Sequence, residues 1–261
     1  MKSQPYAVVT GAASGLGLAL ARRLAFDYRL ILVDRNEVAL EEQWGHWDGH
    51  YTLVADLTDR VAIDHLIEHI RSLTGEVALL VNNAGITHRS LSYQTDSRVL
   101  EAVMAVDYLA PVLLAQGLLT ALENARGKVV NIGSMAGWMP VAGRAGYCAA
   151  KSALHQYFET FRAEVAHKDV SVLMVYPSFL DTPIETNALD GKGGKASHAR
   201  SMVGKMRTGD WMAEKIEKAI KNNKQRLFPD HFTAFAAILY RLWPSLYLRL
   251  MTRKFASELA G

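Results

Sequence analysis

Short, almost continuously apolar runs recur along the chain at residues 6–10, 30–33, 51–54, 77–81, 128–132 and 170–176, separated by longer stretches with helical periodicity. A strand with one wet face alternates apolar and polar side chains, whereas a strand that is apolar throughout has both faces covered. Helices lying between successive strands supply that cover, and crossovers of that length set neighbouring strands parallel. Residues 225–228 read as a seventh strand. The pattern predicts a doubly wound α/β fold with one parallel sheet of about seven strands, flanked by helices, in a single domain over residues 1–261. Chains of about 250 residues commonly form one such domain. Ligands of this architecture sit outside the carboxyl ends of the strands, where the strand order reverses.

The turn after the first run carries chemistry. Thr10-Gly11-Ala12-Ala13-Ser14-Gly15-Leu16-Gly17 leads directly into the apolar-periodic stretch from Leu18 to Leu24. A pyrophosphate needs small residues where backbone approaches it and a helix N-terminus aimed at its charge. Gly11 suits the tight turn, Gly15 the close approach, and Gly17 the packing of helix on strand, with Ser14 and Leu16 in the same cradle. This is the dinucleotide-binding arrangement of a Rossmann-type sheet. Asp34 ends the second run, where a carboxylate accepts hydrogen bonds from ribose hydroxyls and repels a 2′-phosphate. Arg35 follows it, and a guanidinium there suits a 2′-phosphate or stacks on adenine. The expected cofactor is NAD, with NADP as the alternative.

Tyr147 and Lys151 lie four residues apart on a helical stretch and so share a face. A free phenol, with a pKa near ~10, is a poor acid/base at neutral pH. A neighbouring ammonium is expected to lower that value. Ser134, just past the fifth run, supplies a hydroxyl for a substrate oxygen.

These motifs, in this order over roughly residues 5–185, resemble the short-chain dehydrogenase/reductase family. The resemblance implies Tyr147 as general acid/base, Lys151 tuning Tyr147 and binding the nicotinamide ribose, and Ser134 orienting substrate. It implies adenine contacts from Asp56 and Leu57. Asn82-Asn83-Ala84-Gly85 is similar to the family's sheet-stabilising motif, so Asn83, Ala84 and Gly85 are expected along the cofactor. Pro177 and Thr182 match positions near the nicotinamide. Two positions depart from the family pattern. Asp107 stands where an asparagine is usual, and its carbonyl is expected to keep a relay water while its carboxylate offsets the pull of Lys151 on Tyr147. Ser178 replaces the glycine that commonly follows Pro177. The family's corresponding helices pair across a two-fold axis, so helices near 99–122 and 147–167 are expected to build a homodimer or homotetramer.

The substrate candidates Met135, Trp138, Met139, Val141 and Phe179 suggest an apolar pocket for a carbonyl compound or secondary alcohol. Residues 183–210, with Gly191-Lys192-Gly193-Gly194-Lys195, read as a mobile loop with the character of a substrate lid. Residues 229–261 read as a helical tail that Pro244 should kink or split. The tail suits a subunit contact or a cap on the pocket in preference to a membrane interface, which its Arg241, Arg249, Arg253 and Lys254 leave open.

Composition narrows the remaining classes. A net charge of +3 without a dense basic block points away from nucleic acid. Cys148 is the one cysteine, so no intrachain disulfide or cysteine-based metal site forms, and no metal is expected. This suits a cytoplasmic setting. The N-terminus lacks the pattern of a signal peptide, and no apolar run approaches the ~18 residues expected of a membrane span. Two rivals to the carbonyl/alcohol reading stay open. One is a non-catalytic NAD-binding regulator. The other is a 3-oxoacyl-thioester reductase, which would need a basic docking patch drawn from Arg144, Lys192, Lys195, Arg200, Lys205 and Arg207.

Overall fold

The computed structural model describes residues 4–197, 206–229 and 231–256. Seven parallel strands form its sheet: β1 (Tyr6–Thr10), β2 (Arg29–Asp34), β3 (Tyr51–Val54), β4 (Leu79–Asn82), β5 (Lys128–Ile132), β6 (Ser171–Val175) and β9 (Arg226–Leu227). Their order is β3-β2-β1-β4-β5-β6-β9, so the chain reverses direction across the sheet between β1 and β4. Two short strands, β7 (Leu180–Asp181) and β8 (Arg207–Thr208), pair separately. The fourth strand starts later than residue 77, because the Val77 N–H bonds the Ala121 carbonyl instead of a sheet neighbour. The seventh is a two-residue edge strand, in register with Met174 and Val175 and also tied by the Arg226–Glu159 ion pair.

The helices are α1 (Gly15–Leu24), α2 (Glu37–Trp44), α3 (Arg60–Leu73), α4 (Ser97–Met104), α5 (Ala110–Gly117), α6 (Leu119–Asn124), α7 (Ala145–Glu164), α8 (Pro183–Thr186), α9 (Gly209–Lys221), α10 (His231–Leu242) and α11 (Pro244–Lys254). They explain why the strands are apolar throughout. On one face of the sheet Val8, Ile31 and Leu80 pack with Ile67 of α3, Leu114 of α5 and Leu154 and Phe158 of α7. On the other, Val9, Leu30 and Leu32 pack with Leu20 of α1, Leu40 and Trp44 of α2 and Ile216 of α9. Successive strand residues therefore enter opposite cores. Several helices start on a side chain that accepts an orphan N–H: Asn36 for α2, Asp59 for α3, Asp96 for α4 and Thr208 for α9.

A π-helical segment, Ala105–Leu109, joins α4 to α5, so that Ser97–Gly117 runs as one 21-residue helix. By length and composition it could cross a membrane, which the expectation from apolar runs did not anticipate because Arg98, Glu101 and Asp107 interrupt it. Half of it is buried, packed on α3 and α7, as befits a core helix of the sheet's flank. The π segment widens the helix at Asp107 and turns that carboxylate inward.

Phe158 is fully buried and stacks edge-on with Tyr157 and Phe161. Phe158→Ala should cost about 3–5 kcal/mol of unfolding free energy. Urea unfolding followed by far-UV circular dichroism checks this; a loss under about 1 kcal/mol would show that the core closes over the gap.

Candidate active site

The glycine turn between β1 and α1 is built from left-handed backbone. Gly11 and Gly15 have φ of +68° and +54°, which side-chain-bearing residues rarely adopt. Gly17 has no room for a side chain, since a Cβ there would lie 2.0 Å from the Gly11 carbonyl oxygen. Gly17 thus seats α1 on the turn and does not itself line the cavity. Across the reversal point, Thr10 Oγ1 accepts the N–H groups of Asn83 and Ala84, both at 3.0 Å, and the Asn83 amide donates to the Thr10 carbonyl at 2.9 Å. These bonds fasten β1 to the end of β4 and hold the N-terminus of α1 toward the crevice. No acidic residue stands in the first turn of α1, so its dipole faces the crevice unopposed.

Asp34 lies at the far end of the same crevice. Its two oxygens accept the N–H groups of Ala13 and Asn36, each at 3.0 Å. A carboxylate has about four acceptor positions, so capacity remains for ribose hydroxyls. Arg35, Asp56 and Leu57 line this end beside it.

At the other end stand the residues expected to act on substrate. Ser134 follows β5, and its hydroxyl accepts the Ala136 N–H at 3.1 Å. Tyr147 lies on α7 within hydrogen-bonding reach of the Ser134 hydroxyl. Lys151, one turn on, points its ammonium 5.7 Å from the centre of the Tyr147 ring. It donates to the Ile132 carbonyl at 3.0 Å and pairs with Asp107 Oδ2 at 3.1 Å. The other Asp107 oxygen accepts the Ile86 N–H at 2.8 Å. Asp107 is fully buried and Lys151 nearly so. Burial pushes the Asp107 carboxyl above the ordinary carboxylate range, while Lys151 and the Ile86 N–H hold it down.

The expectation that Lys151 leaves Tyr147 more acidic is corrected. The phenol is pushed well above its ordinary pKa, first by burial and then by the Asp107 carboxylate. The Ser134 hydrogen bond and the Arg144 guanidinium act the other way. The physical reason is first that the phenol is taken out of water, and second that the Asp107 carboxylate beside Lys151 opposes a negative charge on it.

One cavity of about 690 Å³ joins both ends. Gly11, Ser14, Gly15, Leu16, Asp34, Arg35, Asp56, Leu57, Asn83, Ala84 and Gly85 line one side of it, and Ser134, Met135, Met139, Val141, Tyr147, Pro177, Phe179 and Thr182 the other. Lys151 and Asp107 lie behind this wall. Trp138 does not line the cavity and is corrected from pocket to core: its indole packs against His155, Tyr176 and Phe228 at ring-centre distances of 4.7, 5.4 and 5.5 Å.

Three features escaped the sequence reading. Arg144, three residues before Tyr147, is buried on the cavity wall and pairs with Glu185 of α8 at 3.0 Å. It therefore contributes nothing to a surface docking patch; Arg200 and Lys205 of that set lie outside the described residues. His88 sits beneath it, with Nε2 accepting the Gly146 N–H at 3.0 Å, and burial and Arg144 push its pKa down to about 4. The segment expected as a mobile loop is tethered in its described part, since Arg89 donates to the Glu185 carbonyl at 2.7 Å and the Asp96 N–H to the Gly191 carbonyl at 2.8 Å. Phe235, Leu239, Tyr247, Leu250 and Met251 of the tail wall the outer part of the cavity, one of the placements the sequence left open. The tail is anchored by the Tyr247 hydroxyl, which donates to the Pro140 carbonyl at 3.0 Å. A solitary arginine and a solitary glutamate carry no spacing signal for their long-range contact.

A glycine cradle at the reversal point of a doubly wound sheet, joined by one cavity to a serine, tyrosine and lysine cluster, defines a dinucleotide-dependent enzyme. The family model for short chain dehydrogenases matches residues 5–193, and the chain belongs to that family of oxidoreductases. Among curated proteins it is 33% identical to a bovine (Bos taurus) dehydrogenase/reductase SDR family member 7B, over 96% of this chain and 81% of that one. Among solved structures it is similar to a short-chain dehydrogenase from Streptomyces avermitilis, with a TM-score of 0.79, 27% identity and coverage of 100% and 98%. It is also similar to a metagenomic short-chain oxidoreductase in complex with NADP, with a TM-score of 0.69, 25% identity and coverage of 87% and 96%.

The Arg144–Glu185 pair ties α8 to the start of α7. Glu185→Ala leaves a buried guanidinium without its countercharge, a loss of about 3 kcal/mol or more at such sites. Trypsin should then cleave after the exposed Lys192 and Lys195 severalfold faster, with global melting changed less. Unchanged cleavage kinetics would mean the segment is held by its other hydrogen bonds alone.

Proposed function

We propose that the protein interconverts a carbonyl and a secondary alcohol by hydride transfer with a nicotinamide cofactor, and that Tyr147 is the general acid/base. The observation that carries this reading is the placement of the Tyr147 hydroxyl on the cavity wall, beside Ser134 and in front of the Lys151–Asp107 pair, at the end of a crevice that begins at the glycine cradle. The cavity fits such a cofactor. Left-handed Gly11 and Gly15 let a pyrophosphate approach backbone, the N-terminus of α1 faces it, and Gly85 lies beside Lys151, where a Cβ would come within 3.6 Å of the ammonium. The cofactor, when bound, gives or takes up the hydride. NAD(P) binding agrees with the NADP complex of the metagenomic relative, and Asp34 favours NAD over NADP by repelling a 2′-phosphate.

In carbonyl reduction, the Tyr147 hydroxyl passes its proton to the substrate oxygen as the hydride reaches the carbonyl carbon. The Ser134 hydroxyl donates to the same oxygen and stabilises its developing charge. Lys151, which lies behind the cavity wall beside Gly85, would be the group to hold the nicotinamide ribose, and with Asp107 it sets the field at Tyr147. A phenol held above its ordinary pKa keeps its proton across neutral pH, which suits the acid role and hence reduction. Oxidation needs the phenolate and should quicken as pH rises. Met135, Met139, Val141 and Phe179, with the tail, favour an apolar carbonyl compound. We also infer a homodimer built on the 21-residue helix and α7, supported by the half-exposed Leu109 and the Tyr108–Tyr157 ring pair along that face.

Tyr147→Phe tests the assignment. Turnover of a ketone panel with NADH should fall by about a thousandfold, since acid/base groups contribute roughly 10²–10⁴. NADH affinity, read by fluorescence titration, should stay close to native, and native protein should bind NADH more tightly than NADPH. Retained turnover in the variant would rule out Tyr147, and a clear NADPH preference would mean Arg35 outweighs Asp34.

A further inference from the structure

The tail that walls the cavity has a second face. Of the fifteen large apolar side chains exposed among the described residues, seven lie between Phe235 and Leu250 in α10 and α11. Trp243 and Leu242, at the bend between the helices, are each 59% exposed. Isolated apolar side chains on a surface are ordinary, but a contiguous group of this size marks an interaction site. The charge of the same stretch has one sign. Arg241, Arg249, Arg253 and Lys254 are exposed, and no aspartate or glutamate occurs from 231 to 256. Leu246, Arg249, Leu250 and Arg253 recur at helical spacing, so basic and apolar side chains share a flank of α11.

We propose that the α10–α11 hairpin seats this protein on the surface of an anionic lipid bilayer, with the cavity mouth opening toward the acyl chains. Trp243 and the leucines enter the boundary between headgroups and chains, and the arginines lie among the lipid phosphates, their long stems covering apolar surface. The mouth itself is made by this hairpin: Phe235 and Leu250 line the cavity and are also 62% and 47% exposed. An amphiphilic substrate could pass from the bilayer along apolar side chains to Ser134 and Tyr147. A second copy of the chain fits the face less well, because a two-fold contact sets the same patch against itself, bringing arginine to arginine with no carboxylate in the stretch to receive it. The docking rests on the surface alone; the substrate route also rests on the hydride-transfer reading.

The test is flotation of the full chain with vesicles of phosphatidylcholine, alone or mixed with phosphatidylglycerol. Native protein should float with the anionic vesicles at low salt and release as salt rises. Trp243→Glu/Leu246→Glu and Arg249→Glu/Arg253→Glu alter exposed side chains outside the cavity. Each should cut the bound fraction about tenfold or more, given about 1 kcal/mol per basic residue at such a surface, while circular dichroism and NADH affinity stay native. A long-chain 2-ketone dissolved in the anionic vesicles should be reduced about tenfold faster by native protein than by the Trp243→Glu/Leu246→Glu chain, with a short soluble ketone reduced equally by both. Native protein that stays with the soluble fraction, or variants that float as well as native, would overturn the docking. So would variants that split a dimer into monomers in light scattering while native protein ignores vesicles. Equal rates on the vesicle-borne ketone would overturn the substrate route. Native protein that reduces neither ketone would contradict the hydride-transfer reading and leave flotation to decide the docking.

Discussion

A lysine and an aspartate taken out of water together impose the geometry of this site. Bringing either charge inside alone would cost several kcal/mol, and the pair survives only because each partner has further bonds. Lys151 reaches the Ile132 carbonyl at the end of β5, and Asp107 receives the Ile86 N–H just past β4. One ion pair therefore draws together α7, the π segment of the long helix and the carboxyl ends of two adjacent strands. Asp107 lies within the π segment, where its carboxylate is buried against Lys151. The electrostatic consequence falls on Tyr147, which faces a neutralised lysine and stays protonated above its ordinary range.

The other half of the crevice depends on backbone in place of charge. Left-handed Gly11 and Gly15, the space kept by Gly17, and the Thr10–Asn83 hydrogen bonds hold a helix N-terminus at the point where the sheet reverses. Both halves sit on strand ends because every parallel connection returns the chain to the same edge. The tail then walls the cavity from outside with apolar side chains and carries further exposed apolar and basic side chains on its other face. In the proposed reaction this separates tasks: the cradle anchors, the buried pair sets the acid, and the tail governs what enters.

Much of this was legible in the sequence because its signals are local. The apolar runs at 6–10 and 128–132 coincide with β1 and β5, where burial on both faces favours apolar residues, and the run at 51–54 coincides with the partly exposed edge strand β3. The glycine spacing and the Tyr147–Lys151 spacing depend on one turn and one helix, and Ser134 follows a strand end. Contacts between distant segments left no such mark. Nothing near Trp138 distinguishes a pocket wall from the His155, Tyr176 and Phe228 cluster it joins. Arg144 and Glu185 are 41 residues apart in sequence, and only the fold makes them a pair. The four-residue spacing reports the lysine beside Tyr147, and Asp107 is legible as its counterweight, but the burial that dominates the shift of the phenol leaves no local mark in the sequence.

The central claim is that the buried Asp107 carboxylate, on top of burial itself, raises the proton affinity of Tyr147. The pH dependence of kcat/KM for alcohol oxidation tests it most directly, measured for native protein and Asp107→Asn with one substrate and saturating cofactor. Oxidation needs the deprotonated phenol, so its rate rises with pH as Tyr147 ionises. Removing the carboxylate leaves the ammonium unopposed and lowers that ionisation. The account predicts that the rising limb of the variant moves to lower pH with activity retained; superimposable profiles, or a limb displaced to higher pH, would contradict it.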